Sequence, residues 1–272
     1  MGRDGYGPTG ALGSLRTLIP APRGAYRVWR RSATIFRKRW LTILIPNFVE
    51  PLLYLAALGL GLGAFIREGG IGGQSYPQYI APGLLAANAM FAASFESTFN
   101  TFVKLKVDRV YEAIVSTPVN VEDAIAGEYL WAGTRAVMQG TVFLTVLTLL
   151  GLISSPWAIL IPLVLLVVGM MFSVMGTLFT SLIPTIDLYG YYFTLVITPL
   201  FLFSGIFFPI DGFPAPIPQI AWFTPLYHAV NACRELATGP SAAIFVDLGW
   251  MMLFTATLSL IPIYFMRRRL IN

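Results

Sequence analysis

No charged residue occurs between Arg135 and Asp187. At about 1.5 Å per residue in a helix, that stretch is too long for one crossing of a bilayer whose apolar core is about 30 Å thick. The chain must therefore reverse within it, and Ser154-Ser155-Pro156 is the cluster of turn-forming residues that marks the place. The feature predicts a tight hairpin of two apolar helices in lipid. Composition agrees: of 272 residues, 56% are hydrophobic and 11% charged, with a mean hydropathy of +0.72, well beyond an ordinary soluble domain.

A spanning helix needs about 20 mostly apolar residues that can hardly carry lone charges, and six segments qualify: Leu41–Ile66, Tyr79–Val103, Tyr129–Ile153, Trp157–Ile183, Leu188–Phe208 and Leu248–Met266. The fold class read from this pattern is an all-α polytopic membrane protein. Six crossings put both ends on one side, and the basic residues say which. Arg3, Arg16, Arg23, Arg27, Arg30, Arg31, Arg37, Lys38 and Arg39 precede the first segment; Lys104, Lys106 and Arg109 follow the second; Arg267, Arg268 and Arg269 follow the sixth. Only Arg67 and Arg234 fall on the other side. The positive-inside rule then makes both termini cytoplasmic and places the chain in the cytoplasmic membrane. With its basic residues spent on orientation, nothing points to nucleic acid.

The regions between and before the spans divide as follows. Residues 1–24, rich in Gly, Pro and Arg and without a signal-peptide core, read as a flexible cytoplasmic tail. Residues 25–40 read as an amphipathic interfacial helix, with Tyr26, Trp29, Ala33, Phe36 and Trp40 on one face and Arg23, Arg27, Arg30, Arg31 and Lys38 on the other. Such a helix is a membrane anchor held by anionic lipid, a contact for a cytoplasmic partner, or both. Residues 41–272 form the six-span domain. Its one sizeable cytoplasmic loop, 104–128, holds a short helix ending at Thr117-Pro118, followed by Asn120 as a helix cap with Glu122 and Asp123 in the next first turn. Residues 209–240 lack charge from Gly212 to Cys233, yet Pro214, Pro216, Pro218 and Pro225 forbid a straight crossing, so this outer segment is expected as short re-entrant helices packed on the bundle.

Charges within spans are costly enough to be functional candidates: Glu50 beside Pro51, Glu96 and Arg135. Glu96 and Arg135 either pair with each other or serve a proton relay; Glu50 either answers backbone groups freed by Pro51 or lines a pathway. Aromatic residues crowd the outer half, among them Tyr191, Tyr192, Phe207 and Phe208, as an interfacial belt or as a stacking surface for sugar rings or a lipid tail. No lysine follows a glycine, so there is no phosphate-binding P-loop. His228 is the sole histidine and Cys233 the sole cysteine, so no metal motif, disulfide framework or catalytic constellation is present.

Taken in order, several motifs resemble the permease subunit of ABC-2 type exporters, in particular the branch that includes the nodulation lipo-chitooligosaccharide exporter permease. They are Glu50-Pro51-Leu52-Leu53-Tyr54-Leu55, Tyr79-Ile80-Ala81-Pro82-Gly83-Leu84, Arg109-Val110-Tyr111-Glu112-Ala113-Ile114 with Thr117-Pro118-Val119, Ala126-Gly127-Glu128, Tyr191-Tyr192-Phe193, Ser204-Gly205-Ile206-Phe207-Phe208-Pro209 and Trp222-Phe223-Thr224-Pro225-Leu226-Tyr227-His228. The resemblance implies a half-transporter with no cofactor of its own: two permease subunits pair, and ATP and Mg are handled by a separate cytoplasmic ATPase subunit. It implies that Arg109, Val110, Tyr111, Glu112, Ala113, Ile114, Thr117 and Pro118 form the helix that couples to that ATPase. Tyr26, Trp29, Arg30, Arg31 and Phe36 lie alongside it, and Glu50, Glu96, Arg135, Tyr191, Tyr192, Phe207 and Phe208 are pathway candidates. The implied cargo is a lipo-oligosaccharide or another amphiphile; a drug or antibiotic efflux permease of the same family, or an ion-coupled carrier built on Glu50, Glu96 and Arg135, are the alternatives.

Overall fold

The charge-free stretch folds back on itself in the computed structural model, which describes residues 20–61, 71, 73–115, 117 and 119–271. In chain order the helices are α1 (Pro22–Ala56), α2 (Tyr76–Phe95, continued through π-helical turns at Glu96–Asn100 and Val103–Val107), α3 (Val110–Val115) and α4 (Val121–Leu149). They are followed by α5 (Ile161–Leu182), α6 (Ile186–Phe203), α7 (Ile217–Trp222), α8 (Pro225–Thr238) and α9 (Ala243–Ile271). Among the described residues no β-strand forms, only an isolated bridge between Ile71 and Gln74. Residues 1–19 of the expected tail, Arg67 and Pro118 lie outside the described residues.

The hairpin is α4 against α5. Its reversal starts earlier than Ser154-Ser155-Pro156, at Gly151, whose φ of 71° is accessible to glycine without strain. The Leu152 N–H donates to the Leu147 carbonyl and the Gly151 N–H to the Thr148 carbonyl, both at 3.0 Å, the paired bonds that close a helix end through a left-handed residue. Ser155 then caps the short turn Pro156–Leu160 that leads into α5. The two helices touch backbone to backbone: a Cβ on Gly169 would lie 2.6 Å from that of Ala136 and 2.8 Å from the Gly133 Cα. Helices in lipid gain little from burying apolar surface, so close approach through small residues, which multiplies dispersion contacts, is what holds them. Phe143, Leu147, Leu165 and Phe172 fill the seam on either side.

Three helical stretches, Pro156–Leu182, Ile186–Phe203 and Ala243–Arg269, combine the length and apolarity of a membrane crossing. They overlay three of the six expected segments, with one correction. The segment expected to run to Phe208 leaves its helix at Ser204, because Gly205 adopts φ 80°. Its carbonyl there accepts from Tyr79 Oη at 3.2 Å and from Arg234 at 2.8 Å, groups no local pattern could supply. The proline-rich segment forms α7 and α8, and α8 buries Leu226, Ala229, Val230, Cys233 and Leu236 against the bundle.

At the other end of the chain, α1 runs without interruption through the boundary at residues 40 and 41, 35 residues or about 52 Å of helix. It also starts at Pro22, inside the expected tail, proline being favoured in a first turn because its missing N–H is not needed there. The face it packs on the bundle lies beside the apolar stripe seen in the sequence. Ala25, Val28 and Ser32 pack inward, with Trp29 and Phe36 flanking them, whereas Tyr26 and Trp40 are exposed. The partner is α4: Trp29 Nε1 donates to Thr134 at 2.9 Å, Phe36 meets Trp131 edge-on, and a Cβ on Gly127 would collide with Ala25 and Val28. The uncapped start of α1 is satisfied by Asp123, which accepts from the Ala21 N–H at 2.5 Å, a carboxylate at the positive end of a helix dipole.

Leucine in place of Gly169 forces a side chain into the α4 backbone. Gly169→Leu is expected to destabilise the protein by about 1–3 kcal/mol or more, read as a lowered unfolding midpoint in detergent, while leucine at Gly249, where a Cβ meets nothing within 4 Å, leaves it unchanged.

Candidate functional site

The short helix α3 divides the residues singled out around it into two sets. Tyr111, only 2% exposed, and the half-buried Ile114 sit three residues apart and enter a cluster with Val28 of α1, Leu105, Ile125 and Tyr129, Val174 of α5 and Ile263 and Met266 of α9. Arg109, Ala113 and Thr117, spaced by four, are exposed on the opposite side, and Val110 is half-buried between the sets. Tyr111 therefore anchors the helix from its inner side. Burial pushes its phenol well above the ordinary tyrosine range, so it remains a neutral, packed group. Arg109 takes up the left-handed conformation, φ 48°, where α2 gives way to α3.

Directly behind α3 lies a cluster of four charges, three of them buried and Lys104 half-buried. Glu96 of α2 bonds Arg135 of α4; its other oxygen receives Lys104 Nζ at 2.9 Å, and the same ammonium reaches Glu128 of α4 at 2.6 Å. Asn100 adds a bond to Glu96 at 2.7 Å. Glu96, Glu128 and Arg135 are each less than a tenth exposed. Taking an ion out of water costs several kcal/mol even after relaxation, so such a set persists only when the charges cancel and each is hydrogen-bonded, as here with two carboxylates against two cations.

The backbone of α2 is shaped to deliver these groups. Its π-helical turns free carbonyls that the ordinary ladder would occupy, and Thr180 of α5 takes one, donating to Ser97 O at 2.8 Å. Tyr189 donates to that threonine hydroxyl at 3.1 Å, and Arg269 of α9 caps the Thr180 carbonyl at 2.5 Å. Arg267 pairs with Glu122 at 3.1 Å, tying the last helix to the first turn of α4. Between α1 and the charge cluster a cavity of about 210 Å³ is lined by Arg31, Ser32, Phe36, Glu96, Lys104 and Arg135; Arg30 is exposed beside it.

A second feature is a groove of about 770 Å³ between α1, α2 and α6, walled by Tyr54, Phe91, Phe95, Phe193 and Phe201 and holding Glu50, Phe207 and Phe208. Among the described residues no cation pairs with Glu50. The pathway candidates thus separate. Glu50, Phe207 and Phe208 share the groove, and Glu96 and Arg135 belong to the charge cluster. Tyr191 points away, 60% exposed, and Tyr192 is buried against Phe179, with ring centroids 5.1 Å apart, so it is a packing residue.

An all-helical chain with a short anchored helix over a neutralised charge cluster is the setting in which the comparisons with known proteins become decisive. The family model described as ABC-2 type transporter matches residues 25–237. The chain belongs to the ABC-2 type transporter family. It is 35% identical over 248 residues to Nodulation protein J of Rhizobium leguminosarum bv. viciae, covering 90% of this chain and 94% of that protein. It is 32% identical over 247 residues to Nodulation protein J of Rhizobium meliloti strain 1021, covering 89% and 92%. Inner membrane transport permease YadH of Escherichia coli strain K12 is 26% identical over 211 residues, covering 76% and 80%. As an ABC-2 family member the chain is a multi-pass inner-membrane transport subunit.

Lys104 and Glu128 are the members of the charge cluster that the sequence reading left in a loop. One signal for them was present: Glu96, Asn100 and Lys104 recur every four residues, as a helical stripe does, and Glu128 stands two turns from Arg135. Removing one charge strands its partners. Glu96→Gln or Arg135→Leu alone is expected to cost about 3–5 kcal/mol, and the double variant less than the sum of the two. A double-mutant cycle on unfolding midpoints checks this, and additivity would contradict the coupling.

Proposed function

We propose that this chain is the permease subunit of an ATP-binding-cassette exporter, that it works as a pair of permease subunits, identical copies in the simplest case, and that a cytoplasmic ATPase subunit seats against α3. The observation that carries this reading is the two-sidedness of α3. Its inner face is locked into the cluster shared by α1, α4, α5 and α9, and its outer face is left to Arg109, Ala113 and Thr117. A push on that outer face has no slack to be lost in. It passes to Lys104 and Glu128, and through them to both α2 and α4. ATP and Mg enter only in the partner; their role would be to favour one arrangement of the paired permeases by binding it more tightly.

The orientation follows from the charges. α3, the basic start of α1 and Arg267–Arg269 of α9 gather at one end of the bundle, which the positive-inside rule makes cytoplasmic. With α1, α2, α4, α5, α6 and α9 as six crossings, both termini lie inside, and α7 and α8 form the re-entrant segment at the outer end. The domain limits follow from the same reading: the interfacial helix is the first part of α1, lipid-bound along its exposed aromatic and basic residues, and the coupling loop shortens to the stretch between Val107 and Val121.

For cargo we infer a lipo-oligosaccharide or similar amphiphile. The relatives named Nodulation protein J support it, and the aromatic groove with its single carboxylate has room and chemistry for both an apolar tail and a hydroxyl-bearing head. Drug efflux within the same family is the second reading, favoured by the same apolar walls. An ion-coupled carrier is disfavoured because Glu96 is held between Lys104 and Arg135, and Lys104 in turn by Glu128, so none of them stands as a lone charge on a pathway.

Two experiments test the proposal. Purified from its native membrane, the chain is expected to bring a stoichiometric ATPase that is lost when residues 109–118 are scrambled; a clean, partnerless preparation would move the assignment to the ion-coupled carrier. Ala113→Pro removes the Ala113 N–H that donates to Arg109 O at 3.2 Å and so bends α3 without touching its anchors. It is expected to cut transport in reconstituted vesicles about tenfold, the effect of weakening coupling by about 1.4 kcal/mol, while the ATPase still binds and hydrolyses ATP.

A further inference from the structure

His228 and Asp247 take no part in the site above. His228 is fully buried, 0% exposed, in the first turn of α8. Its Nε2 lies 2.7 Å from the carbonyl oxygen of Trp222, the last residue of α7, and its Nδ1 lies 2.6 Å from Asp247 Oδ1 on α9. The ring stacks on Trp250 of α9 with centroids 4.4 Å apart and meets Trp222 edge-on. One imidazole thus joins three helices.

Proton counting decides what that imidazole must carry. A carbonyl oxygen only accepts, so Nε2 carries a hydrogen and donates to Trp222. The contact between Nδ1 and Asp247 then needs a hydrogen of its own, whether written as imidazolium against carboxylate or as neutral imidazole against carboxylic acid. Without it, an Nδ1 lone pair on a fully buried ring would face a carboxylate across 2.6 Å. Among the described residues no other ionisable group substitutes. α5 and the turn Pro156–Leu160 contain none, α7 contains none, and Tyr79 of α2 faces Arg234 instead. Tyr227 presents only its ring edge, Asp211 is exposed, and the next charges on α8, Arg234 and Glu235, bond Gly205 and Ser241.

We propose that His228 and Asp247 together form a proton-binding latch that clasps the α7–α8 segment onto α9, closed while the shared proton is bound and loosened when it is lost. Acid therefore holds the segment down and alkali releases it. That this segment covers an export pathway on the outer side rests on the exporter reading; the proton site itself does not.

The chain carries natural probes for both halves of the claim, since His228 is its sole histidine and Cys233, five residues along α8 and 0% exposed, its sole cysteine. The full-length protein, labelled with ¹⁵N-histidine and held in lipid nanodiscs, gives one imidazole whose nitrogen signals, followed from about pH 5 to about pH 9, are expected to change as the shared proton is lost. Alkylation of Cys233 by a maleimide reads the lifting of α8. Asp247→Asn is the control, because its amide N–H can donate to Nδ1 while Nε2 still serves Trp222, a clasp that needs no titrating proton. Wild type and this variant are expected to react alike at about pH 6, with wild type about tenfold faster at about pH 9, the effect of losing one hydrogen bond to a charged group. Histidine signals that stay fixed over that range, or a rate ratio that does not change with pH, would overturn the latch. Should the variant fail to fold, the wild-type titration decides by itself, and neither measurement depends on ATPase or cargo.

Discussion

Two carboxylates and two cations, drawn out of water into the seam between α2 and α4, constrain the rest of the bundle. None of the four tolerates isolation there, so α2 must present Glu96, Asn100 and Lys104 to the same side, opposite Glu128 and Arg135. In an unbroken α-helix Lys104 would lie about 80° round from Glu96. The wider π-helical turns at Glu96–Asn100 and Val103–Val107 slow that rotation and return Lys104 to the seam. The backbone irregularity is in this sense a consequence of the charges. Its by-product, the free Ser97 carbonyl, recruits Thr180, and Thr180 recruits Tyr189 and Arg269. One electrostatic requirement thereby ties together α2, α4, α5, α6 and α9.

Geometry on the two sides of this seam differs in kind. Toward α3 the helices are joined by charges and by a mixed cluster around Tyr111 and Ile125, and small shifts there must be shared by every helix that contributes. Toward the α4–α5 hairpin the contact is steric, with Gly133, Ala136 and Gly169 in backbone proximity, an arrangement that resists displacement because close-packed helices have no partly separated state of similar energy. In the proposed exporter the first region receives the push and the second acts as a rigid strut. The aromatic groove lies along α1 and α6, outside that strut, where movement is least opposed.

Much of this was legible in the sequence, for identifiable reasons. The hairpin and the apolar helices α5, α6 and α9 follow from uninterrupted apolar runs and from turn residues acting within a few positions of themselves, and α4 starts at Asn120 as expected although that side chain makes no capping bond. The cost of charges at such depth singled out Glu96 and Arg135 and left pairing open beside a proton relay; the structure pairs them. What escaped depended on distant groups. The exit from α6 at Gly205 is held by Tyr79 and Arg234, more than a hundred and nearly thirty residues away in sequence respectively. The face of α1 that packs on the bundle, Ala25, Val28 and Ser32, has no signal in its own periodicity, because it is Gly127 and Asp123 on α4 that have space and charge for it. The burial of Tyr111 and Tyr192 has no local signal, because nothing local records which side of a short helix a neighbour will cover.

The sequence by itself determined that the chain lives in a bilayer, where its apolar runs start and stop, and which end carries the positive charge. These are properties of solvent and of local backbone chemistry, and every residue contributes to them independently. Only the tertiary structure decided that Lys104 and Glu128 complete the charge cluster, that α3 is anchored on one face and open on the other, and that His228 meets Asp247. Each of these is a contact between groups whose separation in space is set by how whole helices cross, and a crossing is fixed jointly by all the side chains in the seam.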